Sequence, residues 1–131
     1  MKSSFQFIVV LFVVFTVFTG CSKSTDGDDY IERVTPVENQ TVTAKTSTSI
    51  SFNTLVGWGN GCGQFSRSVV VKTDSVYLIK ILGKEPKDAV CTAVLISFNA
   101  PVTINLPSTG TYIFKFWRSD STSRDTTITI Q

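Results

Sequence analysis

The sequence predicts an all-β domain, either a sandwich or a small barrel, and three observations carry this prediction. Beyond residue 20 the chain is rich in Thr, Ser, Val and Ile and poor in Ala and Leu, which favours strands over helices. No long stretch repeats its apolar residues with the period of a helix. Short alternating segments instead recur roughly every ten residues, a spacing that is typical of sandwiches and barrels.

An apolar leader precedes this domain. Residues 5–18 are apolar except for Gln6 and Thr16, and they follow the cationic Lys2. As a helix this run would extend about 21 Å, which is shorter than the ~30 Å hydrocarbon core of a membrane. Such a length is typical of a signal peptide rather than of a spanning helix. We therefore assign residues 1–20 to a signal peptide.

The leader ends in Phe18, Thr19, Gly20 and Cys21, which resembles the lipobox of bacterial lipoproteins, with Phe18 where that family usually has Leu. The resemblance implies that the sulfur of Cys21 receives a diacylglycerol, with palmitate among the acyl chains, and that the signal peptidase cuts in front of it. The chain would then be attached to a membrane through Cys21. An ordinary secretory signal or an uncleaved anchor would leave Cys21 as a spare thiol, and both also place the domain outside the cytoplasm.

Residues 21–30 combine the acylated Cys with a short polar tether that lacks apolar periodicity. Ser22 directly after Cys21 is similar to lipoproteins that are sorted to the outer membrane. Lys23, followed by the acidic residues 26, 28 and 29, resembles the export signals that place some lipoproteins on the cell surface. These resemblances imply an outer-membrane or cell-surface location.

The number of cysteines is consistent with an exported protein. Once Cys21 is set aside, Cys62 and Cys91 remain as an even pair, and in an oxidising compartment such a pair indicates a disulfide. The alternatives are a reactive thiol or half of a metal site. The chain contains no His, so a Cys–His nucleophile is excluded, and two cysteines alone make a poor zinc site.

The domain itself is predicted to occupy residues 31–131. The first two strands form a broken edge because Pro36 cannot donate to a ladder, and the third alternates apolar with polar residues. A glycine-rich loop at residues 57–63 precedes a hairpin that turns near Asp74, and a charged loop at residues 83–89 delivers Cys91 to Cys62. The predicted strands cover residues 31–34, 40–44, 48–56, 65–73, 75–82, 92–98, 102–106, 111–118 and 126–130.

The last strands show the clearest alternation. In residues 92–98 the side chains of Val94, Ile96 and Phe98 share one side, and residues 102–106 repeat the pattern after Pro101. In the next strand three aromatic residues alternate with three others. The predicted inward residues are Tyr112, Phe114 and Phe116, and the predicted outward residues are Ile113, Lys115 and Trp117.

The segment from Leu106 through Gly110 to Tyr112 resembles the tyrosine corner of immunoglobulin-like sandwiches. The resemblance implies that the Tyr112 hydroxyl bonds to backbone a few residues upstream and that the last three strands are E, F and G. Phe114 stands where antibody domains have Cys, so the predicted disulfide is not the inter-sheet bridge. We predict an antiparallel immunoglobulin-like, Greek-key sandwich of about seven to nine strands; a small barrel is the alternative.

No catalytic constellation is present. The absence of His excludes a Ser–His–Asp triad, and the glycines of residues 57–63 do not fit a dinucleotide motif in any frame. A net charge of +2 gives no basis for binding nucleic acid. We therefore expect a non-enzymatic protein without a cofactor or metal.

Binding of a ligand or partner is the remaining class of function, and two tryptophans are candidate binding residues. Trp58, in the glycine-rich loop, would offer an aromatic platform or would cap the core; Trp117 would form a partner patch or be covered by its neighbours. The sequence thus predicts a lipid-anchored binding or adhesion module for a protein or carbohydrate ligand. The alternatives are an accessory subunit of an envelope complex and an immunoglobulin-like inhibitor of a secreted protease.

Overall fold

The computed structural model describes residues 29–131, so the leader, the lipobox with Cys21 and most of the predicted tether lie outside the described residues. Eight strands form two sheets: β1 (Tyr30–Thr35), β2 (Val37–Lys45), β3 (Ser49–Trp58), β4 (Gln64–Thr73), β5 (Val76–Pro86), β6 (Ile96–Asn105), β7 (Gly110–Ser119) and β8 (Thr122–Ile130). The predicted all-β sandwich is therefore confirmed. Within residues 29–131 there is no helix of the length and hydrophobicity needed to cross a membrane.

The first sheet is organised around β5. Strand β4 pairs along one edge of β5, while β1 and β7 share the opposite edge and β8 completes the sheet beside β7. The second sheet has the order β2-β3-β6. The chain changes sheets at Pro36, where the buried Thr35 hydroxyl donates to the Gly57 carbonyl oxygen at 2.5 Å. Pro36 therefore lies between β1 and β2, which agrees with the break that the sequence predicted there.

One strand pair differs from the predicted antiparallel arrangement. Strand β5 runs parallel to β7 over four residue pairs, from Val76–Ile113 to Ile79–Phe116. The pairing stops there because β1 occupies the remaining part of the same β5 edge, from Ile81 onward. All other pairs are antiparallel, including β3 with β6 and β7 with β8. The parallel pair is thus a local departure within an otherwise immunoglobulin-like sandwich.

The core lies between the two sheets and follows the predicted alternation. On β7 the inward residues Tyr112, Phe114 and Phe116 are buried, while the residues between them are half-buried or exposed. The Phe52 ring of β3 meets the Phe114 and Phe116 rings edge-on, with centroids 5.0 and 5.1 Å apart. Such edge-to-face contacts join the two sheets at the middle of the sandwich.

The predicted strand at residues 92–98 is wrong at its start. Residues 91–95 are irregular, and β6 begins only at Ile96, which pairs with Trp58, the last residue of β3. From there β6 continues through Pro101 to Asn105 without interruption, because an edge strand tolerates a residue that lacks an N–H. Val94, which was predicted to share one side of this strand with Ile96 and Phe98, is therefore an exposed loop residue.

The tyrosine corner is present. The Tyr112 hydroxyl donates a hydrogen bond of 2.7 Å to the Ser108 carbonyl oxygen, four residues upstream. Gly110, between them, has a φ of 148°, a conformation that favours glycine. The buried Tyr112 ring thus fixes the path by which the chain passes from β6 in one sheet to β7 in the other.

Tyr112→Phe is expected to lower the free energy of unfolding by about 1–2 kcal/mol. The variant has no hydroxyl group, so the Ser108 carbonyl oxygen loses the hydrogen bond that Tyr112 donates to it. Tyr77 provides the matched control. Its ring is also buried, but its hydroxyl has no hydrogen-bond partner among residues 29–131, and burial raises its pKa above the ordinary value. Tyr77→Phe should be neutral or stabilising in urea denaturation, and equal losses for both variants would contradict this assignment.

Candidate functional site

The candidate site lies at the end of the sandwich where β3 ends, and Trp58 occupies its centre. The Trp58 side chain is only 3% exposed. It packs against Phe98 and against Gly63 and Gly83, where a side chain on either glycine would collide with the indole. Trp58 is therefore not the exposed aromatic platform that we considered from the sequence. It caps the end of the core, which was the alternative.

A set of polar side chains surrounds the indole. Glu85 accepts hydrogen bonds from Trp58 Nε1 at 2.9 Å and from Asn60 Nδ2 at 2.5 Å. The Arg33 guanidinium lies 3.4 Å from the Glu85 carboxylate and 4.3 Å from the centroid of the Trp58 ring. The bonds from Trp58 and Asn60, together with the charge of Arg33, lower the pKa of Glu85 below its ordinary value. Glu85 is thus held as a carboxylate at neutral pH.

No motif in the sequence predicts this arrangement. Arg33, Asn60 and Glu85 come from β1, a loop and β5, which are far apart in the chain and share no motif. The charged segment at residues 83–89 was predicted to be a loop, but β5 extends to Pro86, and its pairing with β1 brings Glu85 beside Arg33. Only the tertiary pairing identifies Glu85 as the acceptor at this end of the sandwich.

Glu85→Gln is expected to destabilise the protein more at neutral than at acid pH. A carboxyl whose pKa is lowered on folding stabilises the folded state above its unfolded pKa, and this contribution is lost as the pH falls through the folded value. The difference in free energy of unfolding between the original chain and Glu85→Gln should therefore shrink below pH 4.5, the ordinary pKa of Glu. Urea denaturation from pH 7 to pH 3 measures this difference, and a pH-independent difference would count against the assigned role.

A disulfide ties the two loops at this end together. Cys62 and Cys91 are bonded, with Cα atoms 5.5 Å apart, so the predicted bridge is confirmed. The Gly61 amide donates to the Thr92 carbonyl oxygen at 3.0 Å beside the bridge. Together these links hold residues 87–95, which we call the bridged loop, against the short loop between β3 and β4.

The bridged loop exposes three apolar side chains. Val90 is fully exposed, Leu95 is 83% exposed and Val94 is 57% exposed. Leu95 also lines an open cleft of about 500 Å³ at the mouth of the core. The side chains that shape this cleft belong to β1, β2, β3 and the start of β6, and include Arg33, Thr35, Glu38, Trp58 and Ser97. Sequence reasoning missed this surface because it assigned Val94 to a strand.

Trp117 lies elsewhere, on the outer face of the first sheet. Its side chain is half-buried and lines a shallow cleft of about 300 Å³ with Leu78, Lys80 and residues 119–123, which span the end of β7, the turn and the start of β8. The outward direction predicted for Trp117 agrees with this position. The structure does not bring Trp58 and Trp117 together, because one closes the core and the other lies on a sheet surface.

Two further observations concern metal binding and the surroundings of Lys84. Within residues 29–131 no group of three or more His, Cys, Asp or Glu side chains is placed to hold a metal ion. Lys84 lies over the Tyr30 ring, with Nζ 4.5 Å from the centroid, so its ammonium group contacts an aromatic face and is not surrounded by water alone.

Comparison with known families then places the chain. Residues 55–130, more than half of its 131 residues, match the family model described as the ORF11 beta-sandwich domain. The chain belongs to this family. The match to the ORF11 beta-sandwich domain runs from the end of β3 to the end of β8 and includes Trp58, both bridged cysteines and Trp117. No curated protein and no solved structure matches the chain.

Proposed function

We propose that this chain is a lipid-anchored lipoprotein of a bacterial envelope, at the outer membrane or cell surface, whose sandwich is a non-catalytic binding or adhesion module. The observation that carries the proposal is that the three cysteines have different positions: two are bonded to each other, and the third directly follows the apolar leader. Cys62 and Cys91 form a disulfide, which is typical of exported proteins. Cys21, directly after Thr19 and Gly20, stands where a lipobox places its acylated residue.

Metabolic labelling with a palmitate analogue tests the anchor. The original chain should incorporate the label and fractionate with membranes, whereas Cys21→Ala should lose both properties. The matched control carries Cys62→Ser and Cys91→Ser, which remove the other two thiols and leave Cys21 in place. This control should still be labelled. Label that persists in Cys21→Ala would refute the lipid attachment.

Two observations support a non-catalytic role. The chain contains no His, the commonest general base. Glu85, the acidic residue in contact with Trp58, accepts hydrogen bonds from Trp58 and Asn60 and has a lowered pKa, which is the opposite of what a general acid needs. The carboxylate of Glu85 therefore has a structural explanation.

The Trp117 cleft is the surface we propose for a protein or carbohydrate ligand. An aromatic face beside Lys80 and the hydroxyl groups of Ser119 and Ser121 combines an apolar contact with hydrogen-bonding groups, as ligand sites on proteins usually do. Trp117→Ala should remain folded and lose binding to a glycan array or to a co-purifying partner. Trp58→Ala is the control, since loss of a buried indole should lower the melting temperature instead. A Trp117→Ala variant that keeps its ligand would remove the cleft from consideration.

One observation favours the second candidate, an accessory subunit of an envelope complex. Among residues 29–131, β4 pairs only with β5, and near the end of β4 both Val70 and Val71 are exposed. An unpaired edge of this kind can accept a strand from another protein. Val71→Lys should then abolish a stoichiometric complex in pull-down while leaving Trp117-dependent binding unchanged.

A further inference from the structure

The bridged loop lies at the end of the sandwich where the chain enters the domain. Tyr30, the first residue of β1, pairs with Pro86, and the Lys87 amide donates to the Asp29 carbonyl oxygen at 3.0 Å. The described chain therefore begins beside the start of the bridged loop. The opposite end of the sandwich carries the turn at Asp74 between β4 and β5, which is one length of β5 away.

The distance from the proposed anchor to this end is short. Cys21 precedes Asp29 by eight residues. Even fully extended, eight residues span at most about 28 Å. A lipid on Cys21 thus keeps the bridged end of the domain within that distance of the membrane surface, while the Asp74 end can point away.

Exposed apolar side chains concentrate at the same end. Of the eight large hydrophobic residues that are exposed in residues 29–131, five lie on the start of β1 or on the bridged loop. We call these five the proximal patch: Tyr30, Ile31, Val90, Val94 and Leu95. By contrast, residues 46–48, which form the turn between β2 and β3 at the opposite end, are Thr, Ser and Thr. The disulfide and the Gly61–Thr92 bond hold the loop in place, so its exposed side chains are presented on a fixed backbone.

We infer that the proximal patch inserts into the lipid surface beside the anchor and fixes the orientation of the sandwich. This inference rests on the proposed attachment at Cys21, which makes the lipid surface the occupant nearest to the patch. Tyr is common at membrane interfaces, and Lys side chains extend their ammonium groups toward water while their stems lie in the interface. Tyr30, with Lys84 over its ring, fits this arrangement.

Charge does not drive the contact. Lys84 and Lys87 carry two positive charges near the patch, and Asp29 and Asp88 carry two negative charges, so the local balance is close to neutral. Insertion should therefore depend on the apolar side chains. We expect the contact to be similar on zwitterionic and anionic vesicles and to change little with salt.

The experiment uses the chain from Cys21 onward, with its disulfide intact, so that Cys21 is its only free thiol. Coupling this thiol to a maleimide phospholipid in phosphatidylcholine vesicles anchors the chain whether or not cells acylate it. Leu95→Trp places a fluorophore in the patch. Val71→Trp is the matched control, because Val71 is also exposed but lies near the turn at the opposite end.

Brominated phosphatidylcholine, which quenches tryptophan on contact, reads out the insertion. After subtraction of the signal of Trp58 and Trp117, we expect about half of the Leu95→Trp fluorescence to be quenched and that of Val71→Trp to be unaffected, as interfacial burial of the loop requires. Equal quenching of the two variants, or none, would overturn the inference. A blue shift of Leu95→Trp that grows with protein concentration without vesicles would also overturn it, by assigning the patch to a second copy. The palmitate labelling of Cys21 tests the anchor separately, so the two failures are distinguishable.

Discussion

Phe114→Ala is expected to lower the free energy of unfolding by about 3–5 kcal/mol, because it leaves a cavity in the middle of the core. Phe114 is fully buried, and its ring centroid lies 5.0 Å from that of Phe52 and 5.5 Å from that of Tyr77. The substitution therefore removes contacts with both sheets. Urea denaturation of the original chain and the variant measures the loss. A change of this size is a large fraction of the stability of an ordinary domain.

Ile113→Ala is the matched control. Ile113 is the neighbour of Phe114 on β7, but it faces outward and is only half-buried. Its truncation should cost about 1 kcal/mol or less, since less apolar area is removed from contact. Similar losses at the two positions would mean that β7 is shifted by one residue, because such a shift exchanges the inner and outer faces of a strand.

This sensitivity to register also explains what could be predicted from the sequence. The alternation of Tyr112, Phe114 and Phe116 with smaller or polar neighbours specifies which face of β7 is buried, and the structure confirms it. The Tyr112 hydroxyl bond joins residues only four positions apart in the chain, so it too could be predicted locally. The pairing of Cys62 with Cys91 followed from the number of cysteines once Cys21 was assigned to the lipobox.

The features that escaped prediction depend on distant contacts. That Trp58 could cap the core was considered from the sequence, but the contact with Gly83, twenty-five residues further along the chain, that leaves space for the indole is encoded by no local pattern. Val94 and Leu95 have the composition of a strand, but Cys91 is held at Cys62, and strand pairing begins only at Ile96. The parallel pairing of β5 with β7 likewise depends on β1, which occupies the rest of the same edge.

Replacement of both bridged cysteines, by Cys62→Ser and Cys91→Ser together, is the second large change, with an expected loss of about 3.6 kcal/mol in the free energy of unfolding. The estimate comes from the chain entropy that the crosslink removes from the unfolded state. The bridge closes a loop with a sequence separation of 29 residues. Denaturation in urea with and without a thiol reductant measures the effect: the original chain should weaken in reductant, and the double variant should not respond.

Because the bridge lies at one end of the sandwich, the same double variant should also show a local change in amide hydrogen exchange at that end. Without the disulfide, the Gly61–Thr92 hydrogen bond is the one backbone hydrogen bond within residues 29–131 that joins the bridged loop to the β3–β4 loop, so the bridged loop should open before the sandwich unfolds. Amide hydrogen exchange should accelerate at residues 87–95 and remain slow in β3 and β7, whose ladders do not involve the bridge. Acceleration spread evenly over all eight strands would show that the disulfide stabilises the whole sandwich and does not define the shape of its proximal end.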